Sequence, residues 1–220
     1  MKAARSYRQP AFTVIELLLM VFTLAILFVL LFSSVPRARK QAHLKQCFNN
    51  LKEINYEFRL RDFDSNDRFH MQIPTSQGGS LESITNGAVF HTFQVMSNEF
   101  NSKANVLVCP SDNRVAARDF TNSFSNANIS YFVGVDATDT EMGLFLSGDR
   151  NLTNGPLTST RLLTLTTNSL PGWDDTMHNQ IGNISMADGS TQTYTIPQLR
   201  LATRNMAGPS FRPDIRLAFP

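Results

Sequence analysis

The chain has 220 residues, 42% of them hydrophobic, with 20 Lys+Arg against 18 Asp+Glu and a formal net charge of +2. That length fits one domain or two, and the composition excludes a disordered chain, a collagen-like chain and a polytopic membrane protein. The near-neutral balance speaks against nucleic-acid binding, which calls for a clear basic excess, and two cysteines are too few for a disulfide-rich scaffold.

The first element is an apolar run of membrane length. Residues 12–32 read FTVIELLLMVFTLAILFVLLF, interrupted only by Thr13, Glu16 and Thr23. As a helix, this run reaches roughly 31 Å, the hydrocarbon thickness of a bilayer. Lys2, Arg5 and Arg8 precede it with no acid among them, and from Ser33 onward 17 Lys+Arg balance 17 Asp+Glu. A cleaved secretory signal peptide would carry a shorter apolar stretch, about 7–15 residues. A plain signal anchor has the right length. Its orientation is not set by charge, because Arg37, Arg39, Lys40 and Lys45 follow the span and basic residues lie on both sides. Neither reading accounts for Glu16. A carboxylate in such a span costs on the order of 2–3 kcal/mol at mid-bilayer and less near its end, and it calls for a partner. No residue of the span is expected to pair with it. A free α-amine at Phe12 of a neighbouring copy would serve if the leader were removed. Phe12 and Glu16 are four residues apart and share a helix face, which suits head-to-tail packing of identical helices.

Residues 10–19, PAFTVIELLL, resemble the type IV prepilin signature. The resemblance implies cleavage by a membrane peptidase between Ala11 and Phe12, N-methylation of the new Phe12 amine, and Glu16 as the fifth mature residue. The family usually carries glycine where this chain has Ala11. The implied fold is α+β and pilin-like: a long N-terminal helix, its first half transmembrane, packed on a C-terminal antiparallel β-sheet domain.

Residues 33–62 read as a continuation of that helix. Leu44, Cys47, Leu51, Ile54 and Phe58 recur at spacings of three and four, which puts them on one face as ordinary core. Pro36 removes a backbone N–H, and a kink is expected there. The basic residues just past the span either touch anionic head groups or form a solvated face. The expected layout is a leader over 1–11, a membrane segment over 12–35, a soluble helical half over 36–62, a β-rich domain over 63–196 and an irregular tail over 197–220.

Residues 63–79, with Pro74 and Gly78-Gly79, read as a loop. A short helix ending near Asn98 fits Phe90, Phe93, Val95 and Met96. Residues 105–109, 129–135, 142–146 and 162–167 are short strand candidates separated by turn residues, which predicts an antiparallel sheet. Asp188-Gly189 between residues 183–187 and 190–195 predicts a hairpin with a two-residue type I′ turn. The tail has Pro197, Pro209, Pro213 and Pro220 and no clear period.

A second resemblance lies at the hairpin. His178, nine residues, then Asp188-Gly189 is similar to the H-X9-DG element that accompanies prepilin-type leaders in pseudopilin-like families of Planctomycetes, Verrucomicrobia and relatives. CFNNLK at 47–52 and CPSD at 109–112 resemble the same families.

The export that this resemblance implies bears on the cysteines. Disulfides persist in oxidising compartments. Cys47 and Cys109 either pair, closing a loop of about 60 residues, or remain two buried thiols. No zinc-type spacing surrounds them, and no metal site is expected. His178 with Asp174, Asp175 and Asp188 would supply a general base or metal ligand in an anchored hydrolase, but no second histidine lies nearby in sequence. The expected role of His178, Asp188 and Gly189 is structural, with His178 bonding the base of the hairpin. Asp174, Asp175 and Asp188 would offer oxygen ligands to calcium, yet their spacing matches no EF-hand loop. The chain carries no nucleophile-elbow, P-loop or dinucleotide-binding signature, and no enzyme is expected.

The function that the resemblance implies is structural: a subunit of a type IV pilus-like or type II secretion pseudopilus filament. Its partners would be copies of itself, the prepilin peptidase, the inner-membrane assembly machinery and membrane lipid. It would sit as a single-pass inner-membrane protein with its C-terminal domain in the periplasm, or in the fibre. The alternative is a membrane-anchored extracytoplasmic binding domain that never assembles.

Overall fold

The computed structural model describes residues 12–63, 68–121, 123–206 and 214–220. The leader, with Ala11, lies outside the described residues, as do Pro209 and Pro213 of the tail. The chain divides into two compact units, residues 1–41 and 42–220.

Helix α1 (Val14–Phe63) is assigned continuously through Pro36. It opens on a capping box. The Glu16 amide donates to Thr13 Oγ1 at 3.4 Å, and Glu16 Oε2 accepts from the Thr13 amide and hydroxyl, each at 2.9 Å. Thr13, inside the span, therefore pairs with Glu16, against the expectation that no residue of the span does so. In the first unit, every large apolar side chain from Phe12 to Leu31 is exposed. The helix is long and apolar enough, by length and composition, to cross a membrane.

The second unit begins at Ala42. Here Cys47, Leu51, Ile54 and Phe58 are fully buried, and Leu44 is half-buried. Each such apolar side chain contributes about 1.5–3 kcal/mol on burial. Phe58 stacks on His70 with centroids 5.2 Å apart and meets Phe69 and Phe93 edge-on at 6.2 and 6.0 Å. The expected loop holds two short 3-10 turns, His70–Gln72 and Thr75–Gln77. Two short helices follow, α2 (Leu81–Thr85) and α3 (Val89–Val95).

Eight strands follow: β1 (Tyr131–Gly134), β2 (Phe145–Asp149), β3 (Leu152–Thr153), β4 (Leu162–Thr166), β5 (Gly172–Trp173), β6 (Ile181–Met186), β7 (Thr191–Thr195) and β8 (Asp214–Ala218). Six of them form an antiparallel sheet in the order β4-β8-β1-β2-β6-β7, and β3 pairs with β5 separately. The architecture is α+β.

Three local expectations are corrected. Residues 105–109 are not a strand, because Ala104–Leu107 is a 3-10 turn. Its apolar side chains Val106 and Leu107 are buried, and a short apolar run does not by itself distinguish buried turn from buried strand. The hairpin lacks the two-residue turn. Gly189 has φ 93° while Asp188 stays at negative φ, and Met186 N donates to Ser190 O at 2.8 Å. This is a three-residue loop closed by a glycine in the left-handed region.

The tail is not irregular. Helix α4 (Ile196–Met206) buries Leu199, Thr203 and Met206, and β8 lies between β4 and β1. Pro197 falls in the first turn of α4, where its missing N–H costs little. The Thr195 amide and hydroxyl donate to Gln198 Oε1 at 3.0 and 2.8 Å, the reach-back half of a capping box.

Candidate functional site

Four elements bring four reactive side chains together inside the second unit. Cys47 comes from the buried stripe of α1, and Cys109 from the segment after the 3-10 turn, just before Pro110. Asp149 ends β2, and His178 sits between β5 and β6. All four are buried, and their ligand-type atoms lie within 4.8 Å of one another.

Cys47 and Cys109 form a disulfide with Cα atoms 5.1 Å apart. His178 Nε2 lies 3.3 Å from Cys109 Sγ and 3.6 Å from Asp149 Oδ2. After His178, Asn179 and Gln180 both take positive φ, 53° and 62°. Two consecutive non-glycine residues in that region hold a strained turn, sustained by the structure around it.

Asp149 is held from β6. The Asn183 amide donates to Asp149 Oδ2 at 2.6 Å, and Asn183 Nδ2 donates to the same oxygen at 3.0 Å. Thr193 on β7 donates its hydroxyl to Asn183 Oδ1 at 2.7 Å, and Asn183 Nδ2 also reaches Leu44 O of α1 at 3.3 Å. These contacts orient the Asn183 amide. Asp149 Oδ1 is buried with no hydrogen-bond partner among the described residues.

Burial dominates the electrostatics. It pushes the Asp149 carboxyl up to about 7, against the lowering effect of the two Asn183 hydrogen bonds. It pushes the His178 imidazole down to about 4, so the ring is neutral at pH 7. Tyr131, opposite Asp149 in the β1–β2 register, accepts from Asn50 Nδ2 at 3.2 Å, and burial raises its hydroxyl well above the ordinary range. Nearby in sequence, Arg150 clamps Asp112 through two bonds of 2.7 and 2.6 Å. Burial acts against the Asp112 carboxylate, but the Arg150 bonds and charge, with the Ser130 hydroxyl and the Asn113 amide, together outweigh it and the pKa is lowered.

The residues expected from sequence are divided by this geometry. Cys47, Cys109 and His178 meet, joined by Asp149, which the sequence reading did not single out. The Nε2 contacts of His178 are with Cys109 and Asp149, not with the Asp-Gly loop. Asp188 accepts from the Ser190 amide at 2.7 Å, and Asp174 from the Thr176 amide at 2.9 Å, so each serves its own turn. Among the described residues, Asp174, Asp175 and Asp188 are not part of the ligand cluster. Phe12 and Glu16 lie in the first unit, exposed. The only signal that would have flagged Asp149 is a carboxylate closing an apolar strand, FLSGD, with β6 needed to supply its partner.

No family model, no curated protein and no solved structure matches the chain. What the chain does is therefore argued from its own residues. The cluster offers almost no surface to an outside molecule in its oxidised state. There it acts as a covalent tie between α1 and the segment that leads toward β1, with neutral imidazole packed against it.

Proposed function

We propose that this chain is a structural subunit of a filament of the type IV pilus or type II secretion pseudopilus kind, anchored and then assembled through α1. In this reading it is inserted in the inner membrane as a single-pass precursor, and prepilin peptidase trims it between Ala11 and Phe12. Methylation at Phe12 follows, and the second unit faces the periplasm or the outside of the fibre. The protein scaffolds; it does not catalyse. Calcium and nucleic acid have no part in this role.

One observation carries the reading: Glu16 is an exposed carboxylate in the apolar, exposed stretch of α1, and it accepts from the amide and hydroxyl of Thr13. Those donors cap the helix but leave the negative charge unneutralised. In a lipid or helix-packed setting such a charge needs a cation. The amine freed at Phe12 of a neighbouring copy would be such a cation. A head-to-tail contact of this kind does not close on itself and generates a fibre.

The test has two arms. Mass spectrometry of the native N-terminal peptide is expected to find N-methylated Phe12; an intact Met1 leader would overturn the processing step. Glu16→Leu keeps the apolar length, so the chain should stay in the membrane fraction and vanish from sheared filaments. Thr13→Val removes the capping hydroxyl without touching the charge, and filaments should persist. Filaments formed equally well by Glu16→Leu would overturn the Glu16 pairing, and a parent chain that forms none would leave the non-assembling anchored domain as the reading.

A further inference from the structure

The geometry points to a second state of the buried cluster: with its disulfide reduced, Cys47, Cys109, His178 and Asp149 form a tetrahedral two-thiolate, one-imidazole, one-carboxylate site for a zinc ion. This site does not depend on the filament reading.

The donor set is one that zinc takes: thiolate, imidazole and carboxylate, four ligands in all. Zinc bond lengths of about 2.0–2.3 Å give a tetrahedron with edges of roughly 3.3–3.8 Å. One edge already has that length, and the Asp149 carboxylate stands at similar range from His178. His178 Nε2 lies 3.3 Å from Cys109 Sγ and 3.6 Å from Asp149 Oδ2. All four donors fall within 4.8 Å of one another, although they come from four separate segments. The one edge that must lengthen is the sulfur–sulfur edge, which is a covalent bond in the oxidised state.

A second observation is independent of the cysteines. Asp149 Oδ1 is buried and has no hydrogen-bond partner among the described residues, an arrangement that costs stability. A metal ligated through Oδ1 relieves that cost and leaves Oδ2 to its two Asn183 bonds. The support that metal sites require is also in place: Asn183 holds Asp149 Oδ2 through its amide and side chain, and Thr193 holds Asn183. His178 is neutral, the form that binds metal.

The exchange balances. A dithiol or phosphine supplies two electrons and, with solvent, two protons. The S–S bond opens to two thiols while the donor is oxidised. Zinc then displaces the two thiol protons to solvent as the Zn–S bonds form. Reducing surroundings thus select the metal and oxidising ones the disulfide. Either way α1 stays tied to the segment that precedes β1.

The experiment uses the full chain in detergent, reduced with a phosphine under argon and titrated with Co2+ as a spectroscopic stand-in for zinc. Expected are one Co2+ per chain, thiolate charge-transfer absorption with the visible bands of a tetrahedral site, and displacement by Zn2+. The oxidised protein should show none of this. Asp149→Asn and His178→Gln, first checked as folded oxidised proteins, should each weaken Co2+ binding about tenfold or more. Absence of thiolate–cobalt absorption, or equal affinity in both variants and the parent, would overturn the proposal. If reduction alone abolishes the near-UV circular dichroism, one equivalent of Zn2+ should restore it, and failure to do so counts against the site equally.

Discussion

His70 is a buried histidine outside the disulfide cluster, and it makes the second unit acid-sensitive in a calculable way. Its side chain is fully enclosed, stacks on Phe58 and bonds the Thr92 carbonyl through Nε2 at 3.0 Å. Burial, with a smaller push from Arg61, lowers its pKa from 6.5 to about 3, against the opposing effect of the Thr92 bond. A folded-state pKa below the unfolded value means that the unfolded chain takes up the proton first. Stability is then complete above pH 6.5 and is lost as the pH falls toward 3. At pH 4.5 the unfolded side is protonated by about two pH units and the folded side hardly at all, a loss of about 3 kcal/mol relative to pH 7.5. For a domain of this size that corresponds to roughly 6–12 °C in Tm. Gln at this position keeps a donor for Thr92 and does not titrate. Thermal melts of the full chain in detergent, followed by near-UV circular dichroism at pH 7.5 and 4.5, should show His70→Gln losing less than the parent by about that amount. Equal losses for variant and parent would refute the linkage.

Replacing Cys47 and Cys109 together by alanine opens a loop with a sequence separation of 62, and the loop-entropy model places the loss at roughly 4 kcal/mol, readable by denaturant or thermal unfolding. Gly148→Ala should cost about 1–3 kcal/mol, because the new Cβ would lie 2.6 Å from the buried Phe132 ring; an unchanged Tm would show that the ring can move aside.

The sequence displayed the parts of the fold that have local periodicity. The stripe of Cys47, Leu51, Ile54 and Phe58 is visible because helical spacing repeats within one segment. Strands β1, β2 and β4 overlap apolar runs bounded by turn residues. Strand β8 is hidden because its support is non-local: Ile215 and Leu217 pair with β4, fifty and fifty-four residues earlier, β1 flanks it on the other side, and the prolines around it read as an irregular end. The candidate site was half visible for the same reason. Cys47, Cys109 and His178 could be picked out as rare residue types, whereas Asp149 looks like an ordinary strand end until β6 places Asn183 beside it. Glu16 shows the converse. Its place in an apolar run points to charge, while the T-x-x-E pattern that contains it is equally local and supplies neutral capping donors.

The placement of the disulfide decides how the second unit carries load. Tension arriving along α1 enters at Ala42 and meets a covalent branch point at Cys47, five residues on. From there it passes through Cys109 into the segment that leads to β1, a strand held on both sides, by β8 and β2. The dispersion contacts of Leu51, Ile54 and Phe58 lie beyond that branch and are spared the pull. A pull along α1 therefore reaches a covalent bond before it reaches the packed side chains of the core.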